Sequence, residues 1–268
     1  MQPVMSVNNC SFSYGEGEFR LQDVTLDVHA GEMLGIVGPN GSGKSTLLRI
    51  MAGLLSTSAG EVTIDEHPVP SMKRRNFARE VAFLPQSPES SFEFTVREVV
   101  ALGRHPYQGA FGLLTAGDQE VISEALAETE SEDLGNRFFS SLSGGEKQRV
   151  LVASVLAQEP RVLLLDEPSA SLDIHHKSHV FDLLWTISRK EMAVVVVTHD
   201  LNTASRYCDV LALLHQGSLE RKGKPEEVMD QELLASAYDT PVKVVGHPVT
   251  GKPMVLVLGK KTREQNQT

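Results

Sequence analysis

The sequence predicts an α/β fold in which a parallel sheet is buried on both faces and carries a helical insert. Short apolar runs alternate with helical segments along most of the 268 residues, a pattern typical of parallel sheets covered by helices. From residue 95 to about residue 158 the apolar residues instead recur at helical spacing. A hydrophobic content of 41% is enough for one large core.

Each predicted element follows from a local pattern. Continuous apolar runs bounded by turn residues predict buried strands, which we place at residues 33–37, 62–64, 81–84, 162–165, 193–197 and 210–214. Apolar and polar residues alternate over 24–28, which predicts a half-exposed strand. Amphipathic spacing predicts helices at residues 45–52, 174–190 and 200–207.

The order of these elements predicts a single domain. We expect its core to comprise residues 1–86 and 161–259, with a helical subdomain inserted at about 87–160. Gln216-Gly217 predicts a hairpin turn near the end of the core. The polar stretch 260–268 is expected to be a disordered tail.

Charge and composition argue against several functional classes. A net charge of −10 does not suit a protein that tracks a nucleic-acid backbone. Cys10 and Cys208 stand far apart and match no metal spacing, so we expect two reduced, buried thiols. The first residues lack the features of a signal peptide, and the longest apolar run, 192–197, is too short to span a membrane. We therefore expect a soluble chain that reaches membranes only through a partner.

The stretch "GPNGSGKST" matches the phosphate-binding pattern G-x-x-x-x-G-K-[ST]. Its nine residues are the candidate nucleotide-binding residues Gly38, Pro39, Asn40, Gly41, Ser42, Gly43, Lys44, Ser45 and Thr46. Glycines allow backbone amides to converge on phosphates, Lys44 supplies a cation, and the Ser45 hydroxyl is a hard ligand for Mg²⁺. A strand precedes the loop and a helix follows it, as this chemistry requires.

A second motif, "RVLLLDEP", places two carboxylates at the end of an apolar strand. Asp166 would lie at the carboxyl edge of the sheet, where it could bind Mg²⁺, and Glu167 could orient or deprotonate an attacking water. Two carboxylates at this position could also simply begin a loop. Beside the phosphate loop they predict nucleoside triphosphate hydrolysis.

A second glycine turn, "SLSGGE", opens another helix about a hundred residues after the first. Ser143, Gly144 and Gly145 could form an ordinary helix N-cap with Glu146 in the first turn. Because one nucleotide is already held by the first loop, this turn could instead contact the γ-phosphate of a nucleotide bound to a second copy of the chain.

In their order along the chain these motifs resemble the ATPase subunits of ABC transporters over nearly the whole length. The resemblance rests on six motifs: the phosphate loop, "LPQ", "LSGGE", "LLLDEP", "SLD" and "VTHD". It implies a P-loop NTPase core of the RecA-like type with an N-terminal antiparallel β subdomain and an inserted helical subdomain. It also implies a head-to-tail homodimer that encloses two ATP molecules with Mg²⁺.

The resemblance assigns roles to matched residues that local patterns alone would leave ordinary. Tyr14 would stack on adenine, with Phe12 as the competing candidate. Gln86 would contact Mg²⁺ and report ATP to a membrane partner. Asp173 would lie at the dimer seam, although it also fits an N-cap. His199 would contact the γ-phosphate, although most single histidines are structural.

Softer resemblances narrow the subfamily. "TVREVVALGRHPY", "SLDIHHK" and "DLNTASRYCD" are similar to segments of importer ATPases for iron-siderophore complexes, haem and cobalamin. The implied partners are two integral-membrane permeases and, indirectly, a substrate-binding protein, with the chain on the cytoplasmic face of the cell membrane. Gln86 and the loop from Arg104 to Phe111 would meet the permease. Ser154 stands where many relatives carry arginine, which leaves catalysis untouched.

Other functions remain as alternatives. A soluble ABC ATPase that assists an iron–sulfur scaffold would carry the same motifs, whereas translation and DNA-repair ABC proteins fit poorly because the chain has no second cassette. Only 69 residues follow His199, which disfavours sugar importers with a large regulatory domain. His175 and His179 stand four residues apart on a predicted helix, but no further ligand joins them, so we expect exposed structural histidines.

Overall fold

The computed structural model describes residues 2–15, 20–86, 93–109, 112–170 and 172–259. The strands are β1 (Met5–Ser13), β2 (Arg20–Val28), β3 (Met33–Val37), β4 (Ala59–Ile64), β5 (His67–Pro68), β6 (Val81–Leu84), β7 (Val162–Asp166), β8 (Ala193–Val197), β9 (Val210–His215), β10 (Ser218–Gly223), β11 (Val242–Gly246) and β12 (Pro253–Val257). The predicted tail, 260–268, lies outside the described residues.

Helices cover both faces of the larger sheet. They are α1 (Lys44–Met51), α2 (Arg74–Glu80), α3 (Val96–Ala101), α4 (Ala116–Glu128), α5 (Gly144–Leu156), α6 (Ile174–Ser188), α7 (Leu201–Tyr207), α8 (Pro225–Val228) and α9 (Gln231–Ala237). In the described part of the chain no helix is both long and apolar enough to cross a membrane.

The larger sheet has the strand order β10-β9-β3-β8-β7-β6, and all of its neighbours are parallel except the β9–β10 hairpin. A smaller antiparallel sheet has the order β2-β1-β4-β5, and β11 and β12 form a separate hairpin. The predicted fold class is thereby confirmed, including the N-terminal antiparallel subdomain. Helices α3 to α5 lie between β6 and β7 in chain order, where the sequence places the insert; its boundaries stay a prediction.

The apolar runs form strands because both faces of the sheet are buried. Every residue of β3, β7 and β8 is buried. Within β8, Val194 and Val196 pack on the side of the insert helices, whereas Val195 and Val197 pack on the side of β1, β2 and α1. Alternating residues thus serve two cores, which explains why these strands lack polar positions.

One strand of the fold differs from the sequence prediction, whereas a predicted turn is present. Strand β1 was not predicted, because Asn9 adopts a φ of 46° and shifts the register with β2 between Val7 and Cys10. Such an irregularity breaks the two-residue alternation that marks a strand. The predicted turn at Gln216-Gly217 is present with φ values of 49° and 85°. A Cβ at Gly217 would lie 1.9 Å from the Arg20 carbonyl oxygen, so only glycine fits.

Arg104 is buried rather than available to a partner, so its expected docking role is wrong. Only 5% of it is exposed. Its Nε donates to the Asp118 carboxylate at 2.8 Å, and its Nη1 donates to the Ala157 carbonyl at 2.8 Å and to Glu159 at 2.6 Å. The Tyr107 ring lies 4.0 Å from the guanidinium. This side chain therefore holds the insert together.

We expect Arg104→Met to lower the free energy of unfolding by about 3–5 kcal/mol, because Asp118 would stay buried without its partner. Urea denaturation would measure the change. The matched control is Lys190→Met, which breaks the more exposed pair with Glu128 and should cost about 0–1 kcal/mol. Asp118→Asn added to Arg104→Met should recover part of the loss. Parent stability in Arg104→Met would contradict the structural role.

The same pair predicts a pH dependence. The pKa of Asp118 is lowered to about 2, chiefly by hydrogen bonds from the Thr115 amide and hydroxyl and then by Arg104. The folded-state pKa is below the ordinary value of 3.8. The ionised Asp118 therefore contributes its full stabilisation of the folded state above pH 3.8, and this contribution is lost as the pH falls toward the folded-state pKa. The difference between parent and Arg104→Met should therefore be full at neutral pH and shrink in acid.

Candidate nucleotide site

The phosphate loop connects β3 to α1 and leaves several donors unused. The amides of Lys44, Ser45 and Thr46 donate to no acceptor within the described residues, as expected for the first turn of a helix. A Cβ at Gly38 would lie 2.1 Å from the Leu214 carbonyl oxygen, so the loop can lie against β9 only with glycine there. Unpaired amides at a helix N-terminus form a site for an anion.

A cavity of about 250 Å³ opens over this loop. It is lined by Tyr14, Asn40, Gly41, Gly43, Lys44, Ser45, Thr46 and Glu167. Ser42 is buried, and its hydroxyl has no hydrogen-bond partner in the described part of the chain. Gly41 and Gly43 adopt φ values of 78° and 104°, which residues other than glycine rarely adopt.

Lys44 points into the loop. Its Nζ donates to the carbonyl oxygens of Gly38 at 2.9 Å and of Pro39 at 2.8 Å. Burial lowers the pKa of Lys44, and the charges of Glu167 and Asp166 oppose that shift. Among the described residues, the Lys44 ammonium has only these two carbonyl oxygens as hydrogen-bond partners. It could therefore turn to the charged oxygens of a phosphate.

Ser45 and Asp166 bring two hard oxygens together. The Ser45 hydroxyl donates to Asp166 Oδ1 at 2.9 Å. Burial raises the pKa of Asp166, partly offset by this hydrogen bond and by the positive charge of Arg49. A hydroxyl beside a buried carboxylate fits the preference of Mg²⁺ for oxygen ligands. The donor set present therefore suits that ion.

Glu167 lies at the centre of a polar cluster at the sheet's carboxyl edge. Its Oε2 accepts from Gln86 Nε2 at 3.1 Å and lies 3.2 Å from His199 Nδ1. These residues follow β7, β6 and β8, which are adjacent in the sheet. Glu167 adopts a φ of 50°, and such backbone strain is common at functional sites.

Tyr14 directly follows β1 and lies beside the phosphate loop. Its hydroxyl lies 3.3 Å from Thr46 Oγ1, and its ring packs edge to face with Phe12 at 4.8 Å. Tyr14 is 49% exposed and lines the cavity. Phe12 instead packs against the core. This geometry favours Tyr14 over Phe12 as a surface for a planar base.

The second glycine turn does not line this cavity. Ser143 caps α5, because its hydroxyl accepts from the Glu146 amide at 3.4 Å while its own amide donates to Glu146 at 2.8 Å. Asp173 caps α6 by accepting from the His176 amide at 2.9 Å. Within the described residues of one copy, Ser143 and Asp173 therefore act as helix caps, and neither lines the cavity over the phosphate loop.

Two further features concern residues outside the motifs. The rings of His175 and His179 lie 4.4 Å apart, and no cluster of three or more metal-ligating side chains was found among the described residues. Tyr238 was not foreseen from the sequence. Burial raises its pKa to about 12, and its hydroxyl faces the Gly38 amide without a well-formed hydrogen bond. No sequence signal relates Tyr238 to the phosphate loop, because it lies 200 residues after Gly38 in the chain.

Together these contacts define the class of protein, a nucleotide-binding P-loop ATPase with its site at the carboxyl edge of a parallel sheet. The chain belongs to the ABC transporter family, whose sequence pattern matches residues 21–170.

Three curated relatives are similar to this chain over most of its length. The hemin import ATP-binding protein of Thermobifida fusca is 44% identical over 253 residues, which cover 94% of this chain and 88% of the relative. The petrobactin import ATP-binding protein of Bacillus anthracis is 39% identical, covering 90% and 89%. The cobalamin import ATP-binding protein of Halobacterium salinarum is 42% identical, covering 90% of this chain but only 61% of the relative.

Two solved structures are also similar. An inward-facing transporter described as being of the metal-chelate type matches with a TM-score of 0.85 and 28% identity, covering 96% of this chain and 98% of that chain. A bacterial ABC transporter cassette solved as a dimer matches with a TM-score of 0.71 and 32% identity, covering 82% of this chain and 98% of that chain.

Proposed function

We propose that this chain hydrolyses ATP and thereby powers an ABC importer for an iron chelate or cobalamin. The observation that carries the proposal is the position of Glu167, held between Gln86 and His199 beside the phosphate loop. A carboxylate there can accept a proton from a water that attacks the γ-phosphate.

The loop would bind the triphosphate, and Tyr14 would stack on the base. The free amides at the start of α1 and the Lys44 ammonium would contact phosphate oxygens, and Lys44 would leave its carbonyl partners to do so. Ser45, Asp166 and Gln86 would hold Mg²⁺, directly or through water. When bound by these residues, Mg²⁺ would supply positive charge that stabilises negative charge on the phosphate.

His199 and Glu167 would have different roles at the γ-phosphate. Glu167 would orient the attacking water and take its proton. His199, 3.2 Å from that carboxylate, would keep Glu167 in place before ATP binds and would turn toward the γ-phosphate afterwards. Such positioning reduces the entropy that the reaction must lose at the transition state.

A second copy of the chain would complete the site. Ser143, Gly144 and Gly145 lie away from the cavity of their own copy, yet they present a helix N-terminus suited to an anion. In a head-to-tail dimer this turn would meet the γ-phosphate of the other copy, and Asp173 would lie at the seam. The similar cassette solved as a dimer supports the expectation that two copies associate.

A membrane permease would bind near the helical insert, at the cytoplasmic face of the cell membrane. Leu102 and Leu113 are 60% and 75% exposed, and they flank the described loop 105–109. Gln86 is also exposed and contacts Glu167. A partner that also reached Gln86, beyond the end of β6, could sense the ATP site through it. Nucleic acid is an unsuitable partner, because the net charge is −10.

The class of imported substrate follows from the relatives, which are named for hemin, petrobactin and cobalamin import. These names favour an importer over a soluble assembly factor for iron–sulfur scaffolds. Substrate selection would lie with the permease and binding protein, since the residues that line the cavity suit phosphate and Mg²⁺.

Deleting the gene should abolish uptake of one of three labelled compounds tested in parallel: haem, cobalamin and a ferric siderophore. The parent gene should restore uptake. A gene encoding Glu167→Gln should not, because ATP turnover would be lost. Unchanged uptake of all three, together with reduced activity of iron–sulfur enzymes, would instead support the soluble assembly factor.

A further inference from the structure

The second glycine turn packs directly against the start of α6. A Cβ at Gly144 would lie 3.8 Å from Leu172 Cδ2, an ordinary contact. At Gly145 the situation is different. A Cβ there would lie 2.0 Å from Cδ2, 2.6 Å from Cγ and 2.7 Å from Nε2 of His176. The imidazole ring thus occupies the space that any side chain at position 145 would need.

The backbone itself does not require glycine at position 145. Gly145 lies in the first turn of α5 and is absent from the residues with positive φ. Alanine is a better helix former than glycine at such a position. Within this copy of the chain, the His176 ring supplies the three nearest atoms that exclude a Cβ.

The other side of the His176 ring is held by Asp173. The ring Nδ1 lies 2.8 Å from Asp173 Oδ1, and the same oxygen accepts the His176 amide at 2.9 Å. Asp173 therefore fixes both the start of α6 and the orientation of the ring. The His176 ring therefore contacts the Asp173 carboxylate through Nδ1 and Gly145 of the glycine turn through its opposite edge.

We propose that His176 is a positioning residue that joins the glycine turn of α5 and the Asp173 cap of α6 into one rigid unit. The inference rests on the proposed function, in which both elements face the second copy of the chain. Because His176 joins these elements, the glycine turn would meet the other copy's γ-phosphate at the same time as Asp173 meets the dimer interface. Without the ring, the turn would have to be ordered separately during closure, at an entropic cost.

A double-mutant cycle tests this contact. All variants carry Glu167→Gln, and MgATP-dependent dimerisation is measured by analytical ultracentrifugation, with ATP binding to the monomer measured separately. Gly145→Ala should weaken dimerisation about tenfold, whereas in a His176→Ala background its added effect should fall below about twofold. His176→Ala alone should weaken dimerisation several-fold, and none of these changes should alter ATP binding to the monomer.

Two controls isolate the ring. His176→Phe keeps the bulk but not the Asp173 contact, so the cost of Gly145→Ala should persist in that background. A Cβ at Gly144 would make an ordinary contact with Leu172 at 3.8 Å. Gly144→Ala should therefore change the dimerisation constant by the same factor with and without His176→Ala.

The outcomes separate the two proposals. If the Glu167→Gln protein stays monomeric with MgATP, the proposed dimer is wrong. If it dimerises but Gly145→Ala costs as much in the His176→Ala background as in the parent, the role of His176 is overturned. If His176→Ala weakens ATP binding to the monomer as strongly as dimerisation, the residue is merely structural, which also overturns the proposal.

Discussion

Glu167→Gln is expected to lower ATP turnover by about 10²–10⁴-fold, or roughly 3–5 kcal/mol of barrier, because the amide cannot accept the proton of the attacking water. ATP binding should survive, since the substitution removes a negative charge near the γ-phosphate. The variant should therefore accumulate as a dimer with MgATP and not with MgADP, which size-exclusion chromatography would detect. Phosphate release gives the turnover.

Two variants serve as controls for this result. Ser143→Arg in the Glu167→Gln background should abolish the dimer while leaving ATP binding to the phosphate loop. Ser143 is preferable to Gly145 for this purpose, because Gly145→Asp would collide with His176 inside one copy. Asp166→Asn should lose Mg²⁺ binding together with turnover. A Glu167→Gln protein with parent turnover would remove Glu167 from the catalytic role.

Lys44→Ala is expected to lower turnover by at least about 10²–10³-fold, because it removes a fixed positive charge from the transferred phosphoryl group. Affinity for ATP should fall as well. A fluorescent ATP analogue would measure binding, and phosphate release would measure turnover. Lys190→Ala, an exposed lysine paired with Glu128, is the matched control and should behave as the parent. Parent activity in Lys44→Ala would refute the phosphate-loop assignment.

The motifs could be predicted from the sequence because their chemistry is contiguous. The loop Gly38 to Thr46 carries its glycines, cation and hydroxyl within nine residues. The strand before it is a continuous apolar run, and the helix after it has apolar residues at helical spacing, so both can be read from the sequence. The observed strands Met33–Val37, Val81–Leu84 and Ala193–Val197 coincide with the predicted ranges. A strand buried on both faces leaves little freedom in composition, so its limits are visible.

Other elements could not be predicted because their local signal is weak. The register shift at Asn9 hides β1, and the short hairpin β11–β12 carries exposed apolar residues such as Val257. Its strands gain their stability from packing on neighbouring helices such as α7 and α9. Propensity in a short segment is easily overridden by such contacts.

By itself the sequence determined the family, the phosphate loop and the residues that end each central strand, because those features depend on neighbours in the chain. Only the tertiary structure decided which distant residues meet. Strand order brings Gln86 and His199 to Glu167, helix packing places His176 over Gly145, and folding of the insert buries Arg104 against Asp118. Burial and contact across long sequence separations are properties of the packed chain, and no local pattern encodes them.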